Sequence, residues 1–395
     1  MRQRVDLPYL DGIRGLAALS VVVYHAFLYT GRTGDAFEAM PAWGFLIGFG
    51  YLGVPVFIVL SGYVLMIPAL STERLAFPGG LRGFFYRRSR RILPPYFAAL
   101  IFALLLIAFV PMMQQPSGTQ WDTKIPVTPW GVISHALLIH DFSPTEYGTI
   151  NGPLWSVALE FQIYFLMALV LIPLARKIGT AWTFAAAAIV GIGLAAGDLL
   201  AWMHPWLITL FAAGMWAAEL TLVPRHTPRW FGPLTVVSLV ALGAVAVAST
   251  KMSFDKVPWT ELTAGFFVAG ALVILGRREV DGRSSWVSRV LRHRIMLRIG
   301  LVSYSIYLFH SPILGLGNLL LLPLGLPTVA QYAVMMVVVV PVALLVSWGM
   351  FQLVERRFLN TRQRRAAEEI DSAAPVPSME EDSVADASEN EPRRS

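Results

Sequence analysis

The chain contains no cysteine. It therefore forms no disulfide, holds no metal or iron–sulfur cluster through thiolate, and carries no acyl-cysteine intermediate. Charge is scarce too: Asp, Glu, Lys and Arg make up 14% of 395 residues, against roughly 25% in an ordinary soluble domain. No internal repeat is visible, so the inverted halves of many secondary transporters are not supported. No H-E-x-x-H or comparable metal-ligand spacing occurs, and no metal is expected. Ser61 and Ser156 lack the glycine-flanked elbow of serine hydrolases. The H-x4-D spacing of glycerolipid acyltransferases is missing as well. Met1–Arg14 is polar and the apolar stretch beyond it has no small-residue cleavage site, so no cleavable signal is expected.

What is present is apolar length. Hydrophobic residues make up 56% of the chain, mean hydropathy is +0.60, and many runs approach the roughly 20 residues that cross a bilayer as a helix. Strands of a membrane barrel would be shorter and alternating. The composition thus predicts an all-α polytopic membrane protein of about ten transmembrane helices, near 12–31, 46–69, 95–112, 154–174, 181–200, 206–222, 232–249, 260–276, 299–321 and 329–353.

The basic residues give an internal test. With both termini cytoplasmic, the outer loops hold only Arg32, Lys124, Lys251 and Lys256, and the other 27 basic residues fall inside. That asymmetry is the positive-inside pattern, so the net charge of +6 marks cytoplasmic loops and not a nucleic-acid site. It also decides 130–140 (WGVISHALLIH): a crossing there would invert every later loop, so a re-entrant or interfacial helix is expected. Residues 1–360 form the membrane domain. The stretch 361–395 is expected to be a disordered, acidic cytoplasmic tail with too little apolar surface to fold.

Ionisable groups at membrane depth are costly and are functional candidates. Arg14 and His25 lie eleven residues apart on the first span, which places them on one helix face separated by about 16 Å of rise. Glu160, in NGPLWSVALEFQIYF, has Ser156 and Tyr164 one turn to either side. His310, in LVSYSIYLFHSPIL, sits near the midplane with Ser303 on its face, and Pro312 frees a backbone carbonyl one turn earlier. Each of these also has a structural reading as an interhelical hydrogen bond or ion pair. In YLGVPVFIVLSGYVL, the glycines Gly53 and Gly62 suit close helix packing, while the role of Ser61 stays open. Arg87, Arg90 and Arg91 in FFYRRSRRILPPY project together if helical, and Pro94-Pro95 is expected to end that segment as the chain re-enters the membrane. Arginine forks suit phosphate oxygens, which points to a phosphorylated cytosolic ligand or to anionic lipid headgroups. Glu261 and Asp198 are expected at solvated outer ends. His135 and His140 are expected on opposite sides of a helix. Trp43, Trp121, Trp130 and Trp155 gather near the outer interface, as an aromatic belt or as sugar-stacking rings. The loop 113–129 is long enough to cover a sugar but carries no signature.

In order along the chain, LPYLDGIRGLAALSVVVYHAF, GYLGVPVFIVLSGYVL, RRSRRILPPYF, NGPLWSVALEFQIYF and SYSIYLFHSPIL resemble the acyltransferase-3 family of integral membrane O-acyltransferases, over roughly residues 7–358. The resemblance implies about ten helices, a bacterial plasma-membrane location, and transfer of an acyl group, in the first place acetyl, from cytosolic acyl-CoA. The implied acceptor is a hydroxyl of an envelope or exported glycan first, or of a macrolide-type product second. The family's Arg-x10-His maps as Arg14 and His25. Its Arg-x-x-Arg maps as Arg87 with Arg90 or Arg88 with Arg91, in either register. Many members append an extracytoplasmic esterase-like domain; here an acidic tail follows instead, so any second transfer outside is expected to require a partner or not to occur.

The implied mechanism has the arginine cluster and Arg14 hold coenzyme A, His25 act as general base or acyl carrier, and Glu160 orient His25 or face the acceptor. Ser61, Trp155, Ser156, Tyr304 and His310 are the expected substrate-side residues. Two alternatives stay open. One is a proton-coupled secondary transporter using His25, Glu160 and His310. The other is a non-catalytic scaffold recruited through the acidic tail.

Overall fold

A computed structural model describes residues 7–72, 74–223, 231–248, 256–359 and 364. The expected tail, 361–395, lies outside the described residues apart from Arg364. Among the described residues there is no strand. In a hydrocarbon medium an unpaired backbone amide has no water to bond, and helices satisfy every such group locally.

Ten apolar helices organise the chain: α1 (Tyr9–Tyr29), α2 (Gly53–Leu70), α3 (Gly80–Phe109), α4 (Leu154–Ile178), α5 (Thr180–Ala196), α6 (Leu207–Leu222), α7 (Phe231–Ala248), α8 (Val257–Val280), α9 (Arg294–Leu321) and α10 (Thr328–Leu353). Each overlaps one expected span, although α3 begins 15 residues before its own. Nine belong to helical stretches long and apolar enough to cross a membrane, whereas α5, at 17 residues, falls short. α4 and α10 each widen into one π turn, at Met167–Leu171 and Met335–Val339, directly before Pro173 and Pro341. Proline supplies no N–H to the preceding turn, so the ladder there can slip by one residue.

The third span departs from expectation. Pro94 and Pro95 lie inside α3, which runs unbroken for 30 residues. The prolines remove two ladder bonds, but the flanking turns hold the helix, as intramembrane prolines often allow. The arginines therefore ride on the transmembrane helix itself.

Helix contacts are set by small residues. A Cβ added to Gly62 of α2 would come within 2.1 Å of the Phe211 carbonyl oxygen of α6, and one added to Gly214 of α6 would come as close to that of Val59. α1 and α9 meet in the same way, with Gly300 against the Asp11 carbonyl at 2.0 Å. The packing reading of Gly62 thus holds. Gly53, likewise, faces the Ala17 carbonyl of α1.

Between α3 and α4 the chain forms a folded loop. Its one α-helix, Pro129–Ala136, is capped by Thr128, which accepts from the Gly131 amide. Eight residues span about 12 Å, so this segment does not cross. His135 and His140 do not take opposite sides of a helix: the helix ends at Ala136, and the turn brings their rings together with centroids 3.7 Å apart. Both nitrogens of the buried His140 ring lack partners. Burial, with His135 beside it, pushes the His140 imidazole down to about 2. The neighbouring Asp141, bonded by Gln162, is pushed up to about 6 by burial. Trp121 is no interfacial residue; it is fully buried, donates to the Met113 carbonyl at 2.9 Å, and packs on Gly315 of α9. Trp43 and Trp130 are more than half exposed.

Candidate active site

Two cavities lie along α1, and Arg14 and His25 line one each. α1 thus contributes to the lining of both, at different heights. Val54 and Tyr307 line both spaces.

The first cavity, about 280 Å³, is at the arginine-rich end. Arg87, Arg88, Arg90 and Arg91 all line it, so the structure uses both registers of the Arg-x-x-Arg set. They differ in depth: Arg87 and Arg90 are exposed, whereas Arg88 and Arg91 are half-buried. Arg87 is steered by the Pro78 carbonyl at 2.6 Å. Arg91 pairs at 3.0 Å with Glu355, a buried carboxylate just past α10 that also accepts from the Ser305 amide and hydroxyl. Arg88 Nε is buried and has no partner, as is Arg91 Nη1. Both side chains line the cavity, and guanidinium donors are the groups that phosphate oxygens would satisfy.

Glu160 lies in this cavity and not beside His25. Its Oε1 accepts from Tyr164 Oη at 2.6 Å and, through a very short contact, from Ser61 Oγ. The i, i+4 relation of Glu160 and Tyr164 was legible; the bond to Ser61 of α2 was not. The expected role of Glu160 in orienting His25 has no geometric support, because its bonds run to these two hydroxyls. Ser156 also lines the cavity, and its hydroxyl bonds Oη of Tyr307, which lines both spaces, at 2.6 Å. Tyr304 donates to the Ile92 carbonyl at 3.1 Å.

The second cavity, about 410 Å³, holds His25. Its Nδ1 lies 2.7 Å from Nε2 of His310, which does not itself line either cavity. The rings are 20° from parallel with centroids 5.0 Å apart, an edge-to-edge arrangement. His310 Nδ1 sits 2.9 Å from the Ile306 carbonyl, which can only accept. With both imidazoles neutral, His310 therefore carries its proton on Nδ1 and accepts at Nε2. His25 must donate from Nδ1, which leaves its Nε2 unprotonated. This chain of bonds fixes the tautomer that a general base needs.

Pro312 frees the Leu308 carbonyl, as expected, and Asn151 Nδ2 donates to it at 2.9 Å. Ser303, on the same face as His310, only bonds back to the Gly300 carbonyl.

The far wall of this cavity is aromatic. Trp155 stacks on His204, with centroids 4.5 Å apart, and Tyr147 packs against Trp155 at 5.2 Å. Glu261 is not solvated: it is 1% exposed and accepts from Trp206 Nε1 at 2.6 Å and His204 Nδ1 at 2.9 Å. Asp198, by contrast, is exposed as expected. Sequence reasoning missed His204, Tyr307, Glu355 and Lys124. Only the fold brings Lys124 out of its loop and into the wall of the His25 cavity.

Among the described residues no group of three or more His, Cys, Asp or Glu side chains is placed to hold a metal.

Comparison with known proteins adds the following. The family model described as "Acyltransferase domain" matches residues 7–348. The acyltransferase MdmB of Streptomyces mycarofaciens is 27% identical over 347 residues, covering 80% of this chain and 81% of that protein. A protein of Komagataeibacter xylinus, provisionally named the membrane-bound transacylase BcsY, is 27% identical over 378 residues, 90% of this chain and 83% of its own. A Staphylococcus aureus (strain COL) protein provisionally named an O-acetyltransferase is 23% identical over 342 residues, 78% of this chain; the match spans about half (51%) of that longer protein. No solved structure matches.

Proposed function

The chain belongs to the acyltransferase-3 family of membrane acyltransferases, and from that premise we propose that it transfers an acyl group, in the first place acetyl, from cytosolic acyl-CoA to a hydroxyl of a glycan or glycosylated acceptor. The observation that carries this reading is the pair of neighbouring cavities that share Tyr307 as a lining residue, one lined by guanidinium groups and the other by a histidine with a free ring nitrogen.

In this reading the arginine-rich end is cytoplasmic, as the positive-inside pattern requires. Arg14, Arg87, Arg88, Arg90 and Arg91 hold the phosphates of coenzyme A there. The thioester reaches past Ser61, Ser156 and Tyr307 toward His25. The acceptor hydroxyl enters the second cavity, where Trp155 and Tyr147 offer flat faces of the kind that sugar rings pack against. His25 Nε2 takes the hydroxyl proton while the oxygen attacks the acyl carbon. The imidazolium so formed is held by His310 and returns its proton to the departing thiolate. Glu160 keeps Tyr164 and Ser61 in place in the donor cavity.

The test uses detergent-purified protein with radiolabelled acetyl-CoA and a panel of glycan and macrolide acceptors, beside His25→Ala. Acceptor-dependent labelling by the wild type alone is expected. Label retained on the protein through His25, with none on any acceptor, would replace direct transfer by an acyl-histidine relay that needs a partner. If coenzyme A neither binds nor reacts, the donor assignment is wrong, and proton-coupled uptake by vesicles becomes the next assay.

A further inference from the structure

Among the described residues, Lys124 of the second cavity has no counter-charge. Lys124 ends a 3-10 turn, Gln120–Lys124, in the loop between α3 and α4. The turn is built to hold it. Thr119 caps it, the Asp122 carboxylate accepts from the Ser117 and Gly118 amides, buried Trp121 anchors it, and the Lys124 carbonyl accepts from the Ile150 amide at 3.0 Å.

The side chain turns inward and is 8% exposed. Its Nζ donates to the Gly148 carbonyl at 2.8 Å. Among the described residues it makes no other hydrogen bond and no ion pair. An ammonium has three protons to donate, so two remain for the cavity. A Cβ on Gly152 would lie 3.1 Å from Nζ, so glycine there leaves room for the ammonium. The Lys124 charge is close enough to act on the His25 ring.

A buried, unpaired ammonium costs several kcal/mol. Among the described residues only the Gly148 carbonyl offsets that cost, and it carries no formal charge. Of the other titratable groups lining the cavity, Glu261 is committed to His204 and Trp206, and Lys256 lies 5.7 Å over the Phe49 ring. The remainder, besides His25, are the phenols of Tyr24, Tyr51, Tyr147 and Tyr307. The missing negative charge is one that the acyl-transfer reaction creates.

We propose that Lys124 is an electrostatic catalytic residue that donates to the acyl carbonyl oxygen as that oxygen becomes anionic. This rests on the acyl-transfer reading above. When the acceptor oxygen bonds to the acyl carbon, its proton passes to His25 Nε2 and the carbonyl π pair moves onto the carbonyl oxygen. Lys124 Nζ–H stabilises that oxyanion without transferring its proton. Collapse restores the carbonyl, breaks the C–S bond, and sends the thiolate out with the proton from His25. Burial brings the ammonium down to about 8, so it is charged at neutral pH and discharged in mild alkali.

The test compares wild type, Lys124→Met and Lys124→Cys with labelled acetyl-CoA and the acceptor found in the panel. Lys124→Met is expected to lower kcat about a hundred- to a thousand-fold, with both KM values within about threefold. Because the chain has no native cysteine, the Lys124→Cys thiol is unique, and alkylation with 2-bromoethylamine rebuilds an ammonium at that position. It should restore at least a tenth of the lost kcat, and this rescue separates charge from folding. The wild-type kcat should fall as pH rises through about 8, and the Met variant should lose that limb. Unchanged kcat in a folded Lys124→Met protein overturns the proposal. So does a raised acceptor KM at full kcat, which would make Lys124 a ligand for an anionic acceptor. Alkylation without rescue overturns it too. If the wild type transfers no label at all, the acyl-transfer reading itself has failed, which is a different result from any of these.

Discussion

Replacing His310 by leucine tests whether the His25 tautomer is imposed or incidental. In the wild type the Ile306 carbonyl orients His310, and His310 orients His25 across 2.7 Å. Leucine removes the acceptor for His25 Nδ1–H and leaves the ring free to turn or to exchange tautomers. It also removes the group that shares the positive charge once His25 has taken a proton. A hydrogen bond to a charged group contributes about 1.5–3 kcal/mol, and each 1.4 kcal/mol is a factor of ten. The expected loss in kcat is therefore about ten- to 150-fold. His310 lines neither cavity, so the KM for acetyl-CoA should stay unchanged. His310→Gln, which can offer an amide oxygen near the lost ring nitrogen, should recover part of the loss. The assay is steady-state label transfer by purified protein, with monodispersity checked by gel filtration. A folded His310→Leu enzyme with wild-type kcat would refute the tautomer argument. A loss confined to KM would place His310 in substrate binding instead.

The remaining predictions concern charge at other depths. Arg90→Ala, at the exposed end of the arginine cavity, should raise the acetyl-CoA concentration for half-maximal rate more than it lowers the maximal rate; unchanged coenzyme A dependence would make the cluster a lipid contact. Glu355→Ala strands Arg91 without its carboxylate, and breaking a buried pair from one side costs about 3–5 kcal/mol; a clear fall in Tm is expected by scanning fluorimetry in detergent. His140→Phe should reduce acid sensitivity. The folded ring protonates only near pH 2 against about 6.5 in an unfolded chain, so its contribution to stability is lost as pH falls below about 6.5, by up to about 1.4 kcal/mol per unit. Asp141, raised by burial, works in the opposite sense below about pH 6 and remains in both proteins. Melting curves between pH 7.5 and 5 that fall equally for wild type and variant would contradict this.

Hydropathy and arginine placement made the helical architecture legible, because in a bilayer the backbone dictates helices wherever apolar length suffices. Local periodicity went further into the site. It placed Arg14 and His25 on one face, Glu160 against Tyr164, and a free carbonyl ahead of Pro312, and all three relations are present. What stayed hidden depends on elements far apart in sequence. Ser61 and Glu160 are 99 residues apart and His25 and His310 are 285 apart, distances over which no helical period carries information. Glu261 looked solvated because it sits near a helix end; its partners come from the turn before α6. Lys124 and Trp121 looked like outer-surface residues because loop residues usually are. A loop that folds inward inverts that expectation, and only its polar scaffolding at Asp122 and Thr119 hints at it.

The pattern of satisfied and unsatisfied groups argues for the direction of the chemistry. The buried or half-buried carboxylates of this region each have partners: Glu160 two hydroxyls on its Oε1, Glu261 an indole and an imidazole, Glu355 Ser305 and Arg91. Among the cations and the base of the two cavities, spare hydrogen-bonding capacity includes Arg88 Nε, Arg91 Nη1, two protons of Lys124 and the Nε2 lone pair of His25. Three of these four are donors on cations, and the fourth is a base. Their side chains line the two neighbouring cavities, guanidinium groups the first and the histidine and lysine the second. A reaction that brings in phosphate, removes one hydroxyl proton and builds a transient oxyanion meets each spare group with its complement. Transfer from a phosphate-bearing acyl donor to a hydroxyl accounts for all four at once.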